Sequence, residues 1–214
     1  LMGVLEKEKI SLSLPSLRPK GLTLRVAEDI VRVRKTGFTL VPEAGTDRLR
    51  RVINKNLRDD DILEASRNAF ALGWRLLKLY FMTGLPTEED EDIEGIASLV
   101  KKIIALGSEV MGSPPRIHLS LSSFIPKPHT PFQWLGMEDG QRLVEKQKFL
   151  KYQFKRCRYV KVIDHPVNNS ILEAVFSRGD RRLAGVLQEA WKRGVRFDSW
   201  RDHLRFPLWE DAFF

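Results

Sequence analysis

The sequence predicts an α/β fold built on a parallel sheet, part of a (β/α) barrel carrying a helical C-terminal extension. Three observations predict it. Strand-like and helix-like segments alternate four times in succession, with strand starts roughly 30 to 40 residues apart, as right-handed βαβ crossovers require. Each strand candidate ends in a loop of Gly, Pro or small residues. After Cys157 the alternation yields to short helices and an aromatic tail. Four units are too few to close an eight-stranded barrel and enough for part of one.

The elements follow in order. Ile10-Ser11-Leu12-Ser13-Leu14 alternates apolar and small polar residues and stops at Pro15, the pattern of a strand. Leu24 to Lys35 sets Val26, Ile30, Val31 and Val33 among charges, which suits a surface helix. Gly37 breaks it, and Phe38 to Val41 is a second strand closed by Pro42. Asp47 to Ile53 is a short helix. The acids after Leu57 supply N-caps for another helix, running to about Leu72 with Gly73 beyond its end. Leu76 to Met82 is the third strand, apolar except for Lys78.

Thr87, with Glu88 to Asp92 behind it, opens a long helix whose first turn carries the negative charge the dipole favours, and Leu106-Gly107 ends it. Ile117 to Phe124 is the fourth strand, followed by a proline-rich loop from Ile125 to Trp134. A helix with a basic end then runs from Asp139 to about Arg156. Tyr159 to Ile163 is a further short strand. Asn169 or Ser170 caps a helix to Phe176, and Arg181 to Lys192 forms an amphipathic helix ended by Gly194. Residues 197 to 214 read as a tail lying across a neighbour. The division expected is therefore 1–156 for the barrel part and 157–214 for the extension packed on it.

Composition narrows the function. The 214 residues are 43% hydrophobic and 30% charged, an ordinary globular balance that argues against disorder. No window approaches the roughly 18 consecutive apolar residues of a bilayer span, and a cytoplasmic location is expected. With one cysteine, Cys157, the chain makes no internal disulfide and no multi-cysteine metal site. The histidines 118, 129, 165 and 203 do not assemble at metal-ligand spacing. No Gly-x-Ser-x-Gly elbow surrounds Ser122 and Ser123. Neither a Walker pattern nor a dinucleotide fingerprint is present. The formal charge of +8 hints at an anionic partner such as nucleic acid, but the basic residues are scattered rather than laid out as an aromatic-interleaved ribbon.

In a parallel sheet ligands gather at the carboxyl ends of the strands. Glu43 follows a strand directly, so its carboxylate stands at the rim, where it would accept hydrogen bonds from a ribose diol or hold an ammonium group. The ordinary alternative is an interaction with the dipole of the following helix. Lys55 would meet an anion if it returned to the same mouth; a solvated loop lysine is the alternative. Gly84 leaves room for a ligand to approach the backbone, Leu85-Pro86 stiffens the loop, and its amides are expected to face the opening, with a phosphate cradle as the rival use.

Taken together, Phe38-Thr39-Leu40-Val41-Pro42-Glu43-Ala44-Gly45-Thr46-Asp47-Arg48-Leu49-Arg50, Ile53-Asn54-Lys55 and Leu79-Tyr80-Phe81-Met82-Thr83-Gly84-Leu85-Pro86-Thr87-Glu88 resemble the second half of a radical S-adenosylmethionine (SAM) domain. They are similar to the branch shared by methylthiotransferases, oxygen-independent coproporphyrinogen oxidase and the Elongator catalytic subunit. The proline loop and Ser177-Arg178-Gly179-Asp180-Arg181-Arg182 look closer to one uncharacterised group of cobalamin-binding-type radical SAM proteins, whose complete chains carry an N-terminal B12-binding-like region.

The resemblance implies an incomplete TIM-like barrel of six β/α units, of which this chain supplies about strands three to six. It implies cofactor-binding roles for Ser16 and Arg18 at the methionine end, and for Glu43 at the ribose. Lys55 would meet the methionine carboxylate, where relatives often place an Arg fork. Met82 would lie against adenine beside Gly84, Leu85 and Pro86, with Ser123 and Phe124 completing the set. Tyr80 stands where many relatives have a ribose-binding Asp.

The family's CxxxCxxC loop is absent, and thiolates are what hold and tune such a cluster. The expectation is therefore a piece of a radical SAM Fe–S oxidoreductase that forms a 5′-deoxyadenosyl radical for hydrogen abstraction from an unknown substrate. The [4Fe–4S] cluster would be held by cysteines outside this chain, and cobalamin would belong to the complete protein. The chain alone should be inactive and should expose a strand edge where earlier strands belong. The competing reading is a non-catalytic basic half-barrel that binds RNA or a partner protein.

Overall fold

The computed structural model describes residues 37–200 and 202–213. The expected strand at 10–14, the helix at 24–35, and Ser16 and Arg18 lie outside the described residues. Four strands, β1 (Phe38–Glu43), β2 (Leu76–Thr83), β3 (Arg116–Ser123) and β4 (Val160–Asp164), form one sheet in the order β1-β2-β3-β4. Every pairing is parallel. Between them run α1 (Asp47–Val52), α2 (Asp59–Ala71), α3 (Asp90–Met111) and α4 (Gly140–Phe154), followed by α5 (Val167–Arg178), α6 (Leu183–Lys192) and α7 (Phe206–Phe213). The fold is the parallel α/β class that alternation predicted.

Strand order and side-chain parity together set the architecture. Phe38 and Leu40, Leu77, Leu79 and Phe81, and Ile117, Leu119 and Leu121 are buried in one cluster with Ile62 and Phe70 of α2, Ile96, Leu99 and Ile103 of α3, and Leu150 and Phe154 of α4. Successive strand residues point to opposite faces, so these three helices cover the same face of the sheet. A doubly wound sheet reverses its strand order and places helices on both faces; among the described residues this sheet does neither, as expected of part of a barrel. The alternate residues Thr39, Lys78, Tyr80, Met82, His118, Ser120, Ser122, Lys161 and Ile163 are half-buried or exposed on the opposite face.

Several element boundaries differ from the sequence reading. Helix α3 does not stop at Gly107 but runs to Met111 and is capped by Gly112 in the left-handed conformation. Gly107 serves packing: a Cβ there would lie 2.6 Å from Pro115 and 2.9 Å from Phe70. The same helix starts at Asp90 rather than at Thr87, with Glu89 as N-cap and its amide bonded to Asp92 at 2.9 Å. Helix α5 starts at Val167 after Pro166, not at an Asn169 or Ser170 cap; Asn169 instead donates to the Asp198 carbonyl at 3.1 Å. β4, read as the head of the extension, pairs with β3 in register from Ile117↔Val160 to Leu121↔Asp164. The tail folds onto α5 and α6, and Trp209 joins Leu172, Ala190 and Val195 in a second, small core.

Candidate functional site

The carboxyl ends of β1, β2 and β3 form one rim. The register of β1 against β2 slips between Leu40 and Glu43, because Leu40 pairs with Leu79 whereas Glu43 pairs with Phe81. Three steps on one strand against two on the other is a bulge, which accommodates Pro42 and re-aims the residue after it. Glu43 then takes a positive φ of 72°, rare for a residue with a Cβ and concentrated at sites where surrounding structure enforces it. Its Oε1 accepts from Lys55 Nζ at 3.3 Å, and both side chains are about 70% covered. Lys55 thus does return to the mouth, and it meets the carboxylate.

Behind this pair the rim is apolar. Ala44, Leu49 and Leu85 are buried together, with Ile53, Met82 and Phe124 half-buried against them. Of the residues singled out in the sequence, Met82, Leu85 and Phe124 therefore meet in one patch that the segments bearing Glu43 and Lys55 also build. Pro86 is half-buried just beyond it. Phe124 stacks edge-on against Phe132 of the proline loop at 5.8 Å. Arg178, at the end of α5, donates to the Pro126 carbonyl at 3.0 Å, so the extension holds that loop at the rim.

The rim is braced from below. Asp92, 2% exposed, accepts from the Thr46 hydroxyl and the Arg48 guanidinium. Arg48 also donates to the Thr87 carbonyl at 2.8 Å, tying the loop after β1 to the loop after β2. Gly45 has no room for a side chain: a Cβ would stand 1.9 Å from the Asp92 carbonyl oxygen. Arg50 is fully buried and donates to the carbonyls of Leu57 at 2.9 Å and Ala44 at 2.8 Å, and to Asp47 and Asp59. Arg48, part-exposed, and the fully buried Arg50 thus act as struts of the rim.

The Gly84 loop departs from expectation. Its amides do not face the opening. Gly84 N donates to Glu88 Oε1 at 2.8 Å and Leu85 N to Glu88 Oε2 at 3.4 Å, so these two amides cradle the loop's own carboxylate rather than a phosphate. Gly84 has φ 82°, and the side where a Cβ would sit is filled by Leu143 at 2.8 Å and Glu138 at 3.0 Å. The glycine is needed for the turn and for α4. The side chain of Glu88 is 2% exposed and also binds Lys146 Nζ at 2.7 Å, which in turn holds Glu138 at 2.8 Å.

Burial penalises the Lys146 ammonium, yet its hydrogen bonds and charge attraction to Glu138 and Glu88 outweigh that and hold it above the usual lysine range. Burial pushes the Glu88 carboxyl up, because an ammonium shared between two carboxylates restores less than burial removes. Sequence reading took Glu88 for a helix-dipole acid and missed Lys146 altogether. A Glu four residues after a turn glycine is the local signal for the first; none exists for a partner 58 residues away.

Ser123 is buried in register with Thr83. Neither hydroxyl has a partner among the described residues, and both point to the helix-covered face by strand parity. The residues fit a nucleoside at the rim: a charged pair beside an apolar patch. They do not fit an iron–sulfur cluster, since the chain has one cysteine and no group of three metal-ligating side chains occurs among the described residues. No described helix is long and apolar enough to cross a membrane.

Residues 3–100 match the family model of the radical SAM superfamily, a span that contains β1, Glu43, Lys55, β2 and the Gly84 loop. An uncharacterized protein of Methanocaldococcus jannaschii is 34% identical over 190 residues, covering 87% of this chain and 39% of that protein. The chain thus spans about two fifths of the length of that relative.

Proposed function

We propose that this chain is the C-terminal part of a radical SAM domain and that its rim positions SAM. The observation that carries the reading is the Glu43–Lys55 pair, held at the end of a bulged parallel strand within the stretch matched by the superfamily model. Bound there, SAM would take one electron from a reduced [4Fe–4S] cluster held by other segments and so supply methionine and a 5′-deoxyadenosyl radical for hydrogen abstraction. The cluster's thiolates, and any cobalamin site, belong to segments outside this chain.

The roles of the residues follow from charge and shape. Glu43 accepts from the ribose hydroxyls, two donors matched to two carboxylate oxygens. Lys55 pairs with Glu43 and offers its remaining ammonium hydrogens to the methionine carboxylate. Met82, Leu85 and Phe124 give the adenine an apolar seat, the thioether of Met82 adapting to the ring. Phe132 and the proline loop close over Phe124 and exclude water. Tyr80, exposed on the open face, stands toward the substrate side.

Calorimetric titration of SAM into the complete protein with its cluster reconstituted tests this reading. Glu43→Ala and Lys55→Ala are each expected to weaken SAM binding roughly tenfold to a hundredfold, the cost of deleting one charged hydrogen-bond partner. Absence of SAM binding, or affinity unchanged in both variants, would overturn it.

A further inference from the structure

The open face of the sheet carries a row of basic side chains that the SAM rim does not use. Lys78 of β2 pairs in register with His118 of β3, and His118 with Lys161 of β4. Three adjacent strands therefore present two ammonium groups and an imidazole on one rung, with Arg116 one rung below on the same face. Neighbouring strands lie about 4.8 Å apart, so Lys78 and Lys161 flank His118 across about 10 Å. Like charges set side by side on a sheet destabilise it, and no carboxylate among the described residues pairs with any of the four. The rim acid of the neighbouring strand β1, Glu43, is engaged by Lys55, and Asp164 of β4 turns to the helix face, where it binds Lys151 at 2.8 Å. The charges also reach one another: burial first, then Lys161, Lys78 and Arg116, hold the imidazole of His118 below its ordinary value.

We infer that this row is a binding site for a phosphate or diphosphate group of the substrate, lodged on the open face below the SAM rim. The chemistry favours phosphate. Two lysines act as point charges that phosphate oxygens satisfy without a planar fork, and an imidazole between them gains a proton when a dianion arrives. The hydroxyls of Ser120 and Tyr80 occupy the next rung toward the rim and offer further donors. The row lies four residues below Met82 on β2, about 13 Å at strand rise. A ligand anchored there would extend its reacting carbon up to the nucleoside. Assigning the phosphate to the substrate rests on the radical SAM reading; the anion site itself does not.

Titration of inorganic pyrophosphate into the 214-residue chain at low ionic strength, followed by calorimetry and by the ring resonances of His118, tests both. Saturable binding is expected, weakened at least tenfold in the Lys78→Met/Lys161→Met double variant and unaffected by Lys101→Met on the helix side. The apparent pKa of His118 is expected to rise on saturation in the wild-type chain, a readout independent of whether the double variant folds. No saturable binding, or an imidazole whose titration does not move, overturns the anion site. Pyrophosphate binding without SAM binding to the complete protein sinks the SAM reading and leaves the anion site; the reverse result sinks the site alone.

Discussion

Single side chains decide whether the rim stands. Lys146 is the clearest case, because it lies buried between Glu88 and Glu138 and keeps the Gly84 loop attached to α4. Replacing it by Met leaves two carboxylates without their cation. The expected loss is about 3–5 kcal/mol at neutral pH, as for other broken buried pairs, read by urea unfolding. The sign of the pH dependence follows. Without Lys146 the Glu88 carboxyl rises further, so acidification protonates it more readily and shrinks the deficit; a loss that grows on acidification would contradict this account. Gly45 is a second case. Gly45→Ala drives a Cβ against the Asp92 carbonyl and is expected to cost about 3 kcal/mol or more through overpacking, also seen in urea melts.

At the scale of elements, strand β3 links stability to pH. His118 is faced by Lys78 from β2, Lys161 from β4 and Arg116 from its own strand. With its pKa lowered in the folded state, its contribution is complete above the unfolded value of about 6.5 and is lost as pH falls through the folded one. The urea midpoint is expected to drop between pH 7 and pH 5.5, and His118→Gln to remove part of that drop; an unaltered slope in the variant would count against a His118 imidazole held down by burial and by the neighbouring cations. The bulge in β1 belongs to this scale too. Pro42 announced a strand end in the sequence, but that the strand continues past it to Glu43 depends on pairing with β2, which no local pattern encodes.

Among the described residues, two of the three buried apolar clusters are the sheet core and the cluster around Trp209. The sheet core and the small cluster around Trp209 share none of their buried residues, so they should lose structure separately. Trp209→Ala is expected to cost about 3–5 kcal/mol locally, stripping hydrogen-exchange protection from α6 and α7 while β2 and β3 keep theirs. Loss of protection throughout would show one cooperative unit instead. Among the described residues β4 pairs only with β3, and an unpaired edge invites association. Sedimentation of the isolated chain is expected to show self-association at micromolar concentration; a clean monomer would speak against an open edge.

Period and punctuation in the sequence determined the fold class, the four strands from β1 to β4 and the rim position of Glu43, because alternation, glycine stops and proline breaks act over a few residues and are written locally; the helix Phe206–Phe213, inside what read as an aromatic tail, was not legible. Lys55 illustrates the limit: its charge was legible, its meeting with Glu43 was not, since α1 must first fold back. Gly84 and Glu88 were misread for the same reason. Whether a loop amide faces a ligand or a neighbouring carboxylate depends on α4 arriving from 58 residues away with Lys146. The row across Lys78, His118 and Lys161 is likewise invisible along the chain and exists only once strand register aligns three segments. Contacts between distant segments are chosen by packing and register, and those are properties of the assembled sheet.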